Sequence, residues 1–367
     1  MKAYKFKLKI NQAFVSKCEQ TLSVCRELYN AGLQERRDAY AIARKRINFH
    51  KQAIQLPEIK LIREDFDGVH SQVLQDILRR LSKAFDAFFR RVKSSAEPGY
   101  PRFKGKHRFN SFTYPQSGFR LAGDKLTLSK IGSCRLRLSR EIDGKIKTCT
   151  IKRQVDGWFV IFTAETPTKP LPKTGDATGI DVGIENFATL ADGQIIENPH
   201  YLQSAQREIA IAQRQVSKKK LRGSNRGKAA RLLARKHLKV TNQRRDFLHK
   251  LSNRLVAEYD TIAVEDLKIK GLVKNHHLAR AISDAAWGTF VQILSCKAEG
   301  AGKRVVTVPA AFTSQDCSQC GARVKKALAV REHRCIGCGF VAHRDHNAAI
   351  NILARTGPFV RANGVAR

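Results

Sequence analysis

Four cysteines at the intervals of two metal-binding knuckles carry the clearest chemistry in this sequence. Cys317-x2-Cys320 and Cys335-x2-Cys338 are separated by fourteen residues, and four thiolates so spaced can close a tetrahedral Zn2+ shell. Gly321 and Gly339 follow the second cysteine of each pair and permit tight turns that aim amides at sulfur. Such a shell leaves no open position, so the expected zinc is structural rather than catalytic. His333, His343 and His346 lie close by, but the spacing favours the four cysteines.

Three acids offer a second chemistry. Asp181 sits in Thr178-Gly179-Ile180-Asp181-Val182-Gly183, Glu265 ends Thr261-Ile262-Ala263-Val264-Glu265, and Asp345 opens Asp345-His346-Asn347-Ala348-Ala349-Ile350-Asn351 just after the cysteines. Each alone is more often a cap or turn residue than a ligand. Carboxylates at two strand ends and a helix start can nevertheless converge on divalent ions for phosphodiester cleavage. Their mutual repulsion calls for Mg2+ or Mn2+ between them. Asp260, Asp266 and Glu185 rank below the triad, because they fall in turns or on the wrong strand parity.

Periodicity outlines the elements that must position these groups. Tyr4, Phe6, Leu8 and Ile10 alternate with Lys5, Lys7 and Lys9, which predicts a half-buried strand with a basic outer face. Residues 12 to about 92 change to helical spacing, with Leu74, Ile77, Leu78, Leu81, Phe85, Phe88 and Val92 forming one buried stripe. Residues 98–115 interleave aromatics, cations and turn formers, a pattern on which bases can stack while Lys and Arg hold phosphates. Strands are predicted near 119–130, 134–139, 146–153 and 158–164, with a hairpin turn at Asp156-Gly157. The first strand is expected to join them in a small β-barrel with the helices inserted between.

Residues 166–177 read as a linker. The second half then alternates strand, helices, strand, helix, strand, helix, an α/β order that suits an RNase H-like core among other folds. Its strands carry Asp181, Glu265 and Arg304–Val308, with a hairpin through Glu185-Asn186. Residues 203–258 carry sixteen Lys/Arg against three Asp/Glu and predict two long basic helices broken near Gly223–Gly227. A further helix is predicted near 279–300.

Sixty-eight Lys+Arg against 32 Asp+Glu give the 367 residues a net charge of +36, the footprint of a polyphosphate partner. A structural basic protein is the bland alternative, against which length and the acidic triad count. Cys18, Cys25, Cys134, Cys149 and Cys296 are isolated, and an odd total of nine argues for a reducing interior rather than a disulfide framework. They are read as packing residues. No apolar run approaches ~20 residues, so neither a leader nor a membrane span is indicated and a soluble intracellular protein is expected.

Together, Gly179–Gly183, Val264–Leu267, Cys317–Gly321 and Arg344–Asn351 resemble the TnpB family of transposon-encoded, RNA-guided DNA endonucleases, relatives of the compact type V CRISPR effectors. Cys25–Asn30, Ala84–Arg91, Gly99–Lys104 and Ile282–Trp287 look like further segments of it, in order along nearly the whole chain. The resemblance implies an α/β multidomain protein. An RNase H-like RuvC nuclease domain with an inserted zinc ribbon follows a small wedge β-barrel with an inserted helical recognition domain. The expected boundaries are wedge 1–11 and 96–166, recognition 12–95, linker 167–177, nuclease 178–312 and 341–367, and zinc ribbon 313–340.

By the same resemblance Asp181, Glu265 and Asp345 match the catalytic acids. An omega guide RNA would pair with the target strand while the protein reads a short flanking motif in DNA, double-stranded before cutting and single-stranded once opened. Gln72, Gln75, Arg102, Lys104, Lys106, Arg108 and Thr113 fall where the family contacts nucleic acid. One departure is His343, where many members carry an acid two residues before the last catalytic Asp. A monomeric ribonucleoprotein in prokaryotic cytoplasm is implied. A guide-dependent repressor that does not cut, a transposase that joins strands itself, and a CRISPR effector remain the alternatives.

Overall fold

A computed structural model describes residues 1–106, 108–327 and 330–357. It divides into two compact units, Met1–Pro167 and Thr168–Arg367. Among the described residues no helix is long and apolar enough to cross a membrane.

In the first unit, β1 (Lys2–Lys9) buries Tyr4, Phe6 and Leu8 and exposes its lysines, as the alternation predicts. Asn11 caps α1 (Gln12–Ala43) by accepting from the Phe14 amide at 2.9 Å. Three short helices follow, α2 (Phe49–Ile54), α3 (Leu56–Ile62) and α4 (Glu64–Asp67), then α5 (Ser71–Lys93). Six strands complete the unit: β2 (Ser111–Tyr114), β3 (Phe119–Ala122), β4 (Lys125–Leu128), β5 (Gly132–Arg137), β6 (Lys145–Gln154) and β7 (Gly157–Glu165). They form an antiparallel sheet in the order β2-β6-β7-β1-β5-β4-β3, with the first strand at its centre. The end strands β2 and β3 do not pair with each other among the described residues, so the pairing is that of an open sheet. Helices and sheet share one hydrophobic core, from Phe14 and Leu33 through Leu74 and Leu81 to Phe112 and Phe162.

Three local expectations change. The run 119–130 is two strands, because Gly123, with φ +55°, turns the chain between β3 and β4. Part of the aromatic stretch is a strand, β2, paired along β6. The apolar stripe of α5 buries only as far as Leu81, while Phe85 and Phe88 are half-buried and Val92 is exposed. Cys18, Cys25, Cys134 and Cys149 pack in this core, and burial pushes the Cys25 thiol up to about 12. Cys296, in the second unit, is exposed instead.

In the second unit, residues 168–176 are pinned rather than loose. Thr174 and Gly175 amides donate to Asp260, and Lys303 Nζ donates to the Pro172 carbonyl at 2.7 Å. The hairpin β8 (Ala177–Val182) and β9 (Asn186–Leu190) extends to β10 (Ile195–Glu197). The basic helices are α6 (Tyr201–Ser217) and α7 (Ser224–Glu258). After β11 (Thr261–Glu265) come α8 (Ile269–Leu272), α9 (Ala279–Ala285) and α10 (Trp287–Gly300). The single helix expected at 279–300 is two, broken at Ala286 with φ +56°. Next is β12 (Arg304–Val308), then β13 (Glu332–Arg334) paired with β14 (Val341–His343), and last α11 (Arg344–Ala354).

The main sheet has the order β10-β9-β8-β11-β12, antiparallel through β8 and parallel from β8 to β12. Leu248 and Leu255 of α7 and Phe290 and Leu294 of α10 cover the face that carries Ile180, Ile262 and Val264. Helix α11 covers the opposite face with Ala349, Ile352 and Leu353. The expected nuclease segment 341–367 lies within the described residues only as far as 357.

Candidate carboxylate and cysteine centres

Register brings two of the acids together. Ile180 of β8 pairs with Val264 of β11, so Asp181 and Glu265 are the next residues on neighbouring parallel strands. Both alternate away from Ile180 and Val264 onto the face covered by α11. Glycine 179 makes that covering close: a Cβ there would lie 2.1 Å from the Ala349 carbonyl and 2.6 Å from the Leu353 amide nitrogen. Helix α11 therefore lies against β8 where no side chain intervenes, and its first turn carries Asp345. His343, the departure from the family pattern, is the N-cap: its Nδ1 accepts from the Asp345 amide at 3.3 Å.

Asp181 senses both of the other acids. Burial, then repulsion from Glu265 and Asp345, holds the Asp181 carboxyl well above its usual range, and Arg344 opposes this. Burial also raises Glu265, offset in part by a hydrogen bond from Thr313 and the charge of Arg355. Arg344 Nε lies 3.2 Å from Asp345 Oδ1, with each side chain 15% exposed. The lower-ranked acids do other work. Asp260 holds Lys303, Glu185 pairs with Arg331 at 2.8 Å, and Asp266 is exposed beyond the end of β11.

A polar stripe on α11 adds residues that motif reading passed over. Asn347, Asn351 and Arg355 are four apart and so share one helix face. Asn347 donates to the Asp316 carbonyl at 2.8 Å and accepts from the Ser318 amide at 3.0 Å. Asn351 Nδ2 donates to the carbonyls of Thr313 (2.8 Å) and Asp316 (2.7 Å). Arg355 donates to the carbonyls of Pro309 and Ala311. This clamp fixes the segment after β12, from which Thr313 Oγ1 reaches Glu265 Oε1 at 2.5 Å. The signal is present in the sequence as polar residues at i, i+4 and i+8, separated by Ala, Ile and Leu from Asn347 to Arg355.

The four cysteine sulfurs all lie within 4.8 Å of one another, the only such group of potential ligands among the described residues. The carboxylates are more loosely disposed. Each knuckle closes by an amide donating back four residues, Gly321 to Cys317 and Gly339 to Cys335, with φ +75° at both glycines. Amides of Cys338 and Gly337 hold the Cys335 thiol down at about 6. Turns that present amides to thiolate sulfur and a four-sulfur donor set fit Zn2+. The nearby histidines are engaged elsewhere: His333 is buried against Lys326, His343 is the cap, and His346 Nε2 meets the Ala191 carbonyl at 3.1 Å.

In the first unit the expected nucleic-acid residues separate into two sets. Gln72 Oε1 accepts from the amide and hydroxyl of Ser117, at 3.0 and 3.1 Å. Thr113 is held by Arg80 (2.6 Å) and Thr150 (2.8 Å), and Arg80 also binds Asp76 and the Ser111 carbonyl. Gln75, Arg102, Lys106 and Arg108 have side chains with no hydrogen-bond or ion-pair partner among the described residues, and Lys104 Nζ lies 5.6 Å from the Tyr29 ring. His107, inside the same stretch, lies outside the described residues.

Three family models match: a "Probable transposase" model over residues 160–276, a Cas12f1-like TNB domain over 287–352 and a helix-turn-helix domain over 1–45. A Streptomyces pristinaespiralis protein, named as a candidate RNA-guided DNA endonuclease, is 38% identical over 96% of this chain and 89% of its own. A similarly named protein of Escherichia coli K12, InsQ, is 31% identical over 96% of this chain and 92% of its own. A TnpB-like protein of Acanthamoeba polyphaga mimivirus is 28% identical over 56% of this chain and 43% of its own. Among solved structures, a CRISPR-Cas12f ternary complex aligns loosely, at TM-score 0.40 and 14% identity over 95% of this chain and 82% of that one. Identity of this extent along almost the whole chain leaves one assignment: the protein belongs to the TnpB family of RNA-guided DNA endonucleases.

Proposed function

We propose that this chain is a guide-RNA-directed, divalent-metal-dependent DNA endonuclease of a transposon, cutting double-stranded targets beside a short flanking motif. The observation that carries the reading is that Asp181 and Glu265 stand side by side on one sheet face while Asp345 opens the helix packed on that face, in a chain of net charge +36. The names of its full-length relatives support the guide and the DNA target. The sheet order, antiparallel on one side of β8 and parallel on the other, supports an RNase H-like RuvC reading of 178–312 and 341–367. Residues 313–340 are then the zinc ribbon, 1–11 and 96–166 the wedge, and 12–95 the recognition segment.

The donor set fits the metal. Half-buried carboxylates offer only oxygen ligands, which suits Mg2+ or Mn2+ over softer ions. When bound, such ions supply an activated water and neutralise charge on the leaving 3′ oxygen. The chain's own residues prepare the site: Thr313 orients Glu265, Arg344 holds Asp345, and His343 and Gly179 fix where α11 begins and how closely it packs.

The test is depletion of a plasmid library with randomised bases beside a fixed target. The protein is co-expressed with RNA covering its gene's downstream end, and Asp181→Ala runs in parallel. Loss of plasmids bearing one short motif, abolished by Asp181→Ala, supports the reading. Target binding without depletion would overturn cutting and leave guided binding.

A further inference from the structure

The strap after α5 is pinned at both ends while its aromatic side chains stay about half exposed. Arg91 Nη2 donates to the Gly99 carbonyl at 3.0 Å. Five residues on, the Asn30 side chain both accepts from the Lys104 amide (2.8 Å) and donates to its carbonyl (3.1 Å). Between these anchors Tyr100 is 45% exposed and Phe103 46% exposed, and Arg102 projects without a side-chain partner among the described residues.

Tyr100 is nevertheless packed along one side. Its ring meets Phe85 at 5.6 Å and 87°, and Phe88 at 5.3 Å and 76°. These edge contacts orient the ring, and nearly half of it stays open to solvent. The stripe that leaves the core at Leu81 therefore ends as a mount for an exposed aromatic. Tyr100, Pro101, Arg102 and Phe103 line a cavity of about 430 Å³ with Leu33 and Arg37 of α1. Arg37 too has no side-chain partner among the described residues. By contrast Phe109, Phe112 and Tyr114, later in the same aromatic stretch, are buried in the core.

A fixed aromatic floor, a second aromatic, two uncommitted guanidinium groups and a cavity in the size range of a small-ligand site suit a nucleotide. We propose that this cavity holds one unpaired base of single-stranded RNA, with Tyr100 and Phe103 as stacking surfaces and Arg37 and Arg102 on the flanking phosphates. RNA is the committed occupant because bases splayed from single strands are its usual protein-recognised feature, and the unengaged Tyr100 hydroxyl can meet a 2′-hydroxyl. The assignment rests on the guide-RNA reading, but its test does not read cleavage.

The protein is titrated with a short single-stranded RNA carrying 2-aminopurine, and with DNA of the same sequence. Stacking predicts a change in 2-aminopurine fluorescence on binding. Tyr100→Leu or Phe103→Leu should remove that change and weaken RNA binding about tenfold, while Tyr100→Trp retains both. Arg37→Gln should lower the salt dependence of binding. Unchanged fluorescence and affinity in both leucine variants, with native circular dichroism, would overturn the site. An equal response from DNA would overturn RNA as its occupant. Absence of cleavage by the parent in the separate plasmid-depletion assay, with these signals intact, would count against the nuclease reading alone.

Discussion

Thr313 and Glu265 are joined by a 2.5 Å hydrogen bond from hydroxyl to carboxylate, and Asn351 of α11 holds Thr313 by its carbonyl. The helix that carries Asp345 thereby also orients the second acid. Thr313→Val should lower cleavage about 10- to 100-fold at limiting Mg2+, since groups that orient metal ligands have effects of that size. Raising Mg2+ should recover much of the loss if affinity is what fails. A variant matching the parent across the whole Mg2+ titration would show that the hydroxyl has no orienting role.

Asn347 links the same helix to the first cysteine knuckle through the Ser318 amide. Asn347→Leu leaves that amide without its partner in a part-buried setting, at a cost of about 1–3 kcal/mol. For a unit of this size each kcal/mol lowers the melting temperature by about 2–4 °C. Thermal melts should therefore shift down by several degrees, and a chelating dye should withdraw zinc faster. An unaltered melt with faster zinc loss would confine the role of Asn347 to the knuckle.

Much of this was legible where information is local. The alternation of Tyr4, Phe6 and Leu8 defined the central strand of the first sheet, and cysteine spacing located the sulfur cluster. Two errors have one cause. Ser111–Tyr114 reads only as part of an aromatic and cationic stretch with turn formers, and Phe85 and Val92 read as part of a buried stripe, because both assignments depend on where a distant partner begins or ends. The strand exists because β6 is there to pair with it, and the α5 stripe surfaces because its covering stops near Leu81. The acids were visible as three separate strand or helix ends. Their convergence required the register of β8 on β11 and the missing Cβ of Gly179, and neither is a property of one segment.

Gln72 and Gln75 can now be distinguished by experiment. Gln72 secures Ser117, so Gln72→Ala should loosen the turn between β2 and β3 and lower the melting temperature. Gln75 has no such bond among the described residues, so Gln75→Ala should leave the melt unchanged and alter the flanking-motif preference in the depletion assay. The reverse pattern would reassign DNA reading to Gln72.

The raised Asp181 carboxyl makes a stability prediction with a definite sign. Burial and two neighbouring acids favour its protonated form in the folded chain. Its contribution is fully present below the unfolded carboxylate value, about 4. That contribution is lost as pH rises through the elevated folded value. In chelator, the parent should therefore melt progressively below Asp181→Asn as pH increases from about 4 toward neutrality, and the two should converge in acid. Mg2+ should narrow the neutral-pH gap by stabilising only the parent, through binding to the folded state. The asparagine variant should be inactive throughout. A metal-free parent more stable than Asp181→Asn at neutral pH would mean that Arg344 alone compensates the buried charge, and that the acids do not depend on a cation to be held together.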